Sequence, residues 1–193
     1  MKNARLVLAL MLVLALSCKR GEQAAADTHA YDNSRGKAAA KASAPAATTT
    51  GIEVGSMMPE YSAMWLDGSK FDLQEHRKNV VLLNLWATWC GPCRFEIPEL
   101  QLLHEKYAPR NFEVIGVSLD ESGVDAVKQF VAEQKKMTYP IALDADGDIA
   151  NLLQTTMLPT TVLVDRSGRI VWKRYGLIEK DDAELTKAIE AAL

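Results

Sequence analysis

The sequence predicts a single α/β domain in which a mixed sheet is covered by helices on both faces. The continuous apolar run "VVLLNL" at 80–85 is typical of a strand buried on both faces. Strand-like and helix-like segments alternate after it, which indicates parallel strands joined by crossover helices. Two short apolar pieces around Asp67-Gly68 predict an N-terminal β-hairpin, and a second hairpin at "DRSG" adds an antiparallel edge. We therefore expect a three-layer sandwich.

The later elements follow from local patterns in chain order. A helical pattern covers residues 93 to about 107, and "FEVIGVSL" at 112–119 is strand-like. The next helix has apolar residues on one face, at Val124, Val127, Phe130 and Val131. A short strand is expected at 139–143, followed by "TTVLVD", by "RIVWKRY" and by a last helix with Leu185, Ala188 and Ile189.

Length and composition limit the functional classes. A chain of 193 residues that is 48% apolar can form one domain with a proper core plus an additional segment. The formal net charge is −3, and the folded part has no cluster of Lys and Arg. The sequence therefore lacks the basic patch that nucleic-acid-binding proteins use.

The N-terminus resembles a secretory signal peptide over residues 1–18. Lys2 and Arg5 precede an apolar run at 6–16, which is shorter than the roughly 20 residues that span a bilayer. The run ends in "ALSC", which resembles a bacterial lipobox, so Cys18 is the expected lipidation site. The alternative is an ordinary signal peptide cleaved near 24–26, with Cys18 lost. Both alternatives predict an extracytoplasmic protein of the cell envelope.

Residues 19–51 are predicted to form a flexible, low-complexity tether, and residues 52–193 are predicted to form the folded domain. The tether is rich in Ala, Lys, Thr, Ser and Gly and has almost no large apolar residue, so it cannot offset the entropy of ordering. A tether of roughly 30 residues reaches on the order of 30 Å. Without Cys18, the folded domain contains two thiols, Cys90 and Cys93.

Cys90 and Cys93 could hold a metal, staple the chain or exchange disulfides. A structural zinc site needs about four ligands, and the three histidines of the chain, His29, His76 and His104, are scattered. We therefore predict no metal site. A purely structural disulfide between these two cysteines would close a very short loop. In the chain-entropy description, such a loop adds only about 2 kcal/mol to the free energy of unfolding.

The disulfide-exchange interpretation explains more of the neighbouring residues. Pro92 suits the first turn of a helix. Cys90 would then precede that helix, where the helix dipole stabilises a thiolate. We expect Cys90 to be the exposed, attacking thiol and Cys93 to be the resolving thiol. Trp89, next to the nucleophile, is expected to form part of the rim of the site.

The motifs "WATWCGPCR" and "MLPTTVLVD" resemble the thioredoxin superfamily. Three further stretches make the resemblance more specific: the segment from residue 55 to the first motif, the "PEL" after that motif, and "VIGVSLDES". Over residues 52–193 the chain resembles the membrane-tethered thiol-disulfide oxidoreductases of the TlpA/ResA type. The resemblance implies a thioredoxin-like sandwich. It also implies that Pro159 is a cis-proline facing the disulfide, and that the backbone of Leu158 pairs with an extended substrate. The alternative for Pro159 is a trans proline that opens a strand.

The resemblance also raises the question of which group accepts a proton. Thioredoxins proper carry a buried Asp six residues before the first cysteine, and this chain has Asn84 there, which cannot take up a proton. Glu96 lies three residues after Cys93, shares its helical face and matches an active-site glutamate of ResA-type proteins. We expect Glu96 to tune or deprotonate Cys93. The alternative is an ordinary surface Glu.

The sequence thus predicts an extracytoplasmic enzyme that reduces protein disulfides without a cofactor. Gly91 and Pro92 are the dipeptide of reducing thioredoxins, and related proteins often reduce apocytochromes during cytochrome c maturation. The implied partners are client proteins with disulfides and a membrane thiol donor of the DsbD/CcdA type, with a lipid anchor in the membrane. Two alternatives remain: a peroxiredoxin-like thiol peroxidase, suggested by the "PEY…LDG" segment, and a copper-binding lipoprotein.

Overall fold

The computed structural model describes residues 51–134 and 137–193. The predicted signal peptide, Cys18 and all but the last residue of the predicted tether lie outside the described residues. Within the described ranges, none of the helices is both long enough and apolar enough to cross a membrane.

Seven strands form one sheet in the order β2-β1-β5-β4-β3-β6-β7. The elements run as follows: β1 Ser62–Trp65, β2 Lys70–Asp72, β3 Val80–Trp86, α1 Gly91–Tyr107, β4 Phe112–Ser118, α2 Val124–Glu133, β5 Ile141–Leu143, α3 Asp148–Leu152, β6 Thr160–Val164, β7 Ile170–Tyr175 and α4 Ala183–Ala192. β4 runs parallel to β3 and β5, and every other strand pair is antiparallel. The predicted mixed sheet is therefore confirmed.

The predicted N-terminal hairpin is also present and extends the sheet. Its turn is closed by the Asp67 carboxylate, which accepts a hydrogen bond from the Ser69 amide at 2.9 Å. Gly68 has a φ of 91°, which a residue with a side chain rarely adopts. β1 then pairs with β5, so the hairpin covers what would otherwise be an open edge of the parallel strands.

Alternate side chains of β3 enter two separate cores, because successive residues of a strand point to opposite faces. Val80, Leu82 and Trp86 pack with residues of α1, α2 and α4. Val81, Leu83 and Leu85 pack on the other face with Ile149 of α3 and with residues of the N-terminal segment. The sheet is thus covered on both faces, as a thioredoxin-like three-layer sandwich requires.

Some elements differ from their predictions. α3 was not predicted because five residues are too few to display a helical period. β5 begins at Ile141 instead of residue 139. In α2, Val127 and Phe130 are buried as expected, but Val124 is exposed because it is the first residue of the helix.

Candidate active site

The two cysteines lie where β3 gives way to α1. Cys90 is the N-cap residue of α1 and forms a disulfide with Cys93. The amide of Cys93 donates a hydrogen bond to Sγ of Cys90 at 3.2 Å. Pro92 occupies the first turn of α1, where its missing N–H leaves no hydrogen bond unmade. The predicted strand-to-helix junction is therefore present.

The expectation that Cys90 is exposed is wrong for the disulfide form. Cys90 is 5% exposed and Cys93 1%, and both belong to the core that includes Ile97. Trp89 is 72% exposed. Gly91 and Pro92 are also exposed, so these neighbours form the accessible rim.

A buried carboxylate that the sequence reasoning missed holds the turn before Cys90. Asp120, just after β4, accepts hydrogen bonds from the amide of Thr88 at 2.9 and 3.1 Å and from the Thr88 hydroxyl. The Ser118 hydroxyl donates to the same carboxylate at 2.7 Å. Asp120 therefore fixes the backbone that leads to the disulfide. Its position at the carboxyl end of the strand next to β3 was the available signal.

Glu96 is buried on α1, which contradicts the alternative of a surface glutamate. Its side chain accepts hydrogen bonds from the amide group of Asn84 at 2.7 Å and from the backbone N–H of Ile178 at 2.8 Å. Asn84 also donates to the hydroxyl of Thr161 at 3.0 Å. Burial raises the pKa of Glu96 from 4.5 to about 7, and the two hydrogen bonds oppose that rise.

The neighbourhood of Glu96 contains a second buried polar group. Burial and the negative charge of Glu96 raise the pKa of Tyr139. The Tyr139 hydroxyl has no hydrogen-bond partner among the described residues. An unpaired hydroxyl close to a carboxyl that titrates near neutrality makes this part of the core sensitive to the protonation state of Glu96.

The loop before β6 contains Leu158 and Pro159, the two residues that the sequence predicts to meet the substrate. The Leu158–Pro159 peptide bond is cis, as the resemblance implies. The carbonyl of Pro159 accepts a hydrogen bond from the Gly176 amide at 2.7 Å. Within 51–134 and 137–193, no hydrogen bond involves the N–H or the C=O of Leu158. Leu158 packs against the core that contains both cysteines, so its free backbone groups lie in the active-site region.

A groove of about 250 Å³ adjoins Trp89, the residue before Cys90. Trp89 and Leu158 both line it, together with Leu119, Ala150 and Met157. The structure therefore brings the residue before Cys90 and the residue before Pro159 to one concave surface.

Comparison with known proteins identifies the family. A sequence model of the family described as Redoxin matches residues 42–189. The chain belongs to the Redoxin family. Thiol-disulfide oxidoreductase ResA of Bacillus thuringiensis subsp. konkukian is 34% identical to this chain over 133 residues. The match covers 69% of this chain and 76% of that protein. Thioredoxin-like protein YneN of Bacillus subtilis is 35% identical over 136 residues, 69% of this chain and 78% of that protein.

Solved structures agree with this assignment. A crystal structure from Chlorobium tepidum, provisionally named thiol:disulfide interchange protein DsbE, matches with a TM-score of 0.68 and 30% identity. The match covers 73% of this chain and 98% of that one. A thiol:disulfide interchange protein from Bacteroides sp. matches with a TM-score of 0.62 and 27% identity, over 70% and 88% of the two chains. The protein is thus a thiol-disulfide oxidoreductase of the TlpA/ResA type within the thioredoxin superfamily.

Proposed function

We propose that this oxidoreductase reduces client disulfides outside the cytoplasm, with Cys90 as the attacking thiol and Cys93 as the resolving thiol. The observation that carries the assignment of roles is the position of Cys90 as the N-cap of α1. Free amide groups and the positive end of the helix dipole stabilise a thiolate there. Cys93 lies one turn further into the helix and deeper in the core, where only an internal partner reaches it.

The exchange balances as two successive displacements. The Cys90 thiolate attacks one client sulfur, which forms a Cys90–client disulfide and expels the other client sulfur as a thiolate. Cys93, as a thiolate, then attacks Sγ of Cys90, which forms the internal disulfide and releases the second client thiolate. Two electrons pass to the client, whose thiolates take up the two protons that the enzyme thiols lose.

Glu96 supports the second displacement as a proton acceptor for Cys93. It lies one helical turn after Cys93, and its pKa of about 7 lets it exist in both protonation states near neutral pH. Asn84 and the Ile178 amide orient the carboxylate without supplying a charge.

The client is proposed to bind as an added strand. The N–H and C=O of Leu158 have no partner among the residues that the structure describes, so they offer one donor and one acceptor to an extended segment, and Pro159 cannot compete as a donor. Trp89, Gly91 and Pro92 form the exposed rim over which the client sulfur approaches.

The cellular setting is proposed from the N-terminal sequence and the resemblance. Residues 1–18 act as a signal peptide, Cys18 carries the lipid anchor, and residues 19–51 tether the domain at 52–193 on the periplasmic side. A membrane thiol donor of the DsbD/CcdA type restores the dithiol, and apocytochromes in cytochrome c maturation are a client class. The mass of the N-terminal peptide of the mature protein checks this, because diacylglyceryl-modified Cys18 and cleavage near 24–26 give different masses.

The function is tested by single-turnover reduction of a disulfide-linked peptide by the full chain. Cys90→Ser is expected to abolish the reaction, whereas Cys93→Ser is expected to accumulate a mixed disulfide through Cys90 that mass spectrometry detects. Accumulation through Cys93 in Cys90→Ser would reverse the assigned roles.

The direction of transfer is tested by the reduction potential of the Cys90–Cys93 couple. A reductant is expected to lie near the roughly −270 mV of thioredoxin. A potential near about −120 mV would mark an oxidant and overturn the proposed direction.

A further inference from the structure

We propose that the groove beside Trp89 is a subsite for a lysine or arginine side chain of the client, carried two residues from the cysteine that Cys90 attacks. This inference rests on the function proposed above and specifies its substrate class. The groove is defined here by its lining residues, of which Trp89, Met157, Leu158, Glu121 and Asp146 matter for recognition.

The position of the groove makes it a continuation of the client-binding strand. Trp89 adjoins Cys90 at one wall, and Leu158 adjoins Pro159 at another. A client that pairs with the Leu158 backbone is extended, so residues two apart along it face the same surface. A client cysteine that points at Cys90 therefore places the side chain two residues away on the same surface as the groove.

The size of the groove suits one side chain. Its volume of about 250 Å³ falls below the roughly 300–1,000 Å³ that is common for small-molecule pockets. Leu119, Ala150 and Met157 supply apolar surface along it. Trp89 also lines the groove, and a cation placed over an indole face is attracted to it.

The charge of the groove selects a cation. Glu121 and Asp146 line it and are exposed, and neither carboxylate forms an ion pair or hydrogen bond with another residue in the described parts of the chain. A lysine or arginine can pack its aliphatic stem on the apolar surface and bring its head group to these carboxylates. A client glutamate at the same place meets two like charges instead.

Hydrogen bonds within the chain hold three walls of the groove in place. Glu121 follows Asp120, which is fixed to Thr88. Asp146 lies in a turn closed by the buried carboxylate of Asp144, which accepts from the amides of Asp148 and Ile149 at 3.1 and 2.8 Å.

The third wall is the loop before Pro159. The hydroxyl of Thr155 accepts from the Met157 amide at 3.1 Å, and the hydroxyl of Thr160 donates to the Met157 carbonyl at 2.7 Å. A client therefore meets a preformed subsite and loses little free energy to ordering it.

The test compares peptide disulfides that differ at one position. Short peptides with a single cysteine are oxidised to symmetrical dimers, with Lys, Ala or Glu two residues before or two residues after the cysteine. The reduced full chain is mixed with each dimer, and the second-order rate constant of reduction is measured by acid quench and chromatography. We expect Lys to exceed Glu by on the order of tenfold at low salt at one of the two positions, since each exposed ion pair contributes a factor of roughly two to five.

Two double variants separate the groove from the overall charge of the protein. Glu121→Gln with Asp146→Asn is expected to equalise the Lys and Glu peptides. Glu75→Gln with Glu133→Gln removes two exposed carboxylates that do not line the groove, and is expected to keep the preference. High salt is expected to reduce the preference, because the pairs are exposed.

Three outcomes overturn the inference. Equal rates for Lys, Ala and Glu at both positions, with all peptides reduced, reject the subsite and leave the proposed function intact. A Lys preference that persists in Glu121→Gln with Asp146→Asn places recognition elsewhere. If none of the Lys, Ala and Glu peptides is reduced, the proposed function fails and the subsite fails with it.

Discussion

Replacing Glu96 with Gln should make the oxidised protein more stable at neutral and alkaline pH. Burial raises the pKa of Glu96 from 4.5 to about 7. A carboxyl with a raised pKa binds its proton more tightly in the folded chain than in the unfolded chain, so the free energy of unfolding falls as pH rises between these two values. Each unit of pKa corresponds to about 1.4 kcal/mol, which gives a loss of about 3 kcal/mol across this interval.

Gln at position 96 resembles the neutral acid in shape and charge and does not titrate. Wild type and Glu96→Gln should therefore have similar stabilities near pH 4, where the wild-type carboxyl is protonated. At about pH 8 the variant should be more stable by about 3 kcal/mol, because it avoids the buried negative charge. Asn84 and Ile178 donate hydrogen bonds to the Glu96 carboxylate, and these bonds oppose the rise of its pKa. In the variant they are retained in part, since the Gln carbonyl oxygen still accepts one of them.

Urea unfolding of the oxidised full chain at a series of pH values measures this difference. The disulfide removes the titration of Cys90 and Cys93. Burial lowers the pKa of His104, which makes stability rise with pH up to about 6.5, but this contribution is common to both proteins and cancels in their difference. Glu75→Gln, an exposed change away from the site, controls for the removal of one carboxylate. Parallel wild-type and Glu96→Gln curves from about pH 4 to about pH 8 would refute the argument from burial.

Two further substitutions test the scaffold of the site through urea unfolding of the oxidised protein. Asp120→Ala leaves the amide and hydroxyl of Thr88 without their acceptor. We expect this variant to lose about 3 kcal/mol of unfolding free energy, because hydrogen bonds to a buried charged group are strong. A loss below about 1 kcal/mol would contradict this role of Asp120. Gly116→Ala places a Cβ 2.9 Å from Nε1 of Trp86 and should cost about 1–3 kcal/mol with a change in tryptophan fluorescence. The Cβ that Gly91→Ala adds has no atom within 4 Å, so this variant is the control for Gly116→Ala. Equal losses of unfolding free energy in the two variants would reject the steric explanation.

Local sequence patterns predicted the reactive junction because all its determinants are close together in the chain. The apolar run of β3 indicated a buried strand, and Pro92 after Cys90 indicated the start of a helix. The cis bond at Pro159 followed from the resemblance and not from spacing. Its contact with Gly176 could not be predicted, because this contact depends on how β6 and β7 pair.

Burial of the site residues was harder to predict because distant segments decide it. Glu96 is covered by the loop that contains Ile178, which is 82 residues away in the sequence. Asp120 lies 32 residues from Thr88, and its role depends on the pairing of β4 beside β3. Cys90 is likewise buried in a core to which the distant elements β4, α2 and α4 contribute. Helical periodicity placed Glu96 on the face of Cys93 but carried no information about these contacts.

The Asn84–Glu96 pair explains why an amide can replace an acid in the strand. Asn84 occupies the position where thioredoxins proper carry a buried Asp, and it would be unable to accept a proton from a thiol. Here its side chain instead donates to Glu96 and to Thr161, so the strand position orients the acid while the helix supplies it. An Asp at position 84 would put a second carboxylate against Glu96 at hydrogen-bond distance, and two like charges there could not both ionise. The amide therefore leaves Glu96 as the titrating member of this pair, with a pKa of about 7 that suits proton exchange at neutral pH.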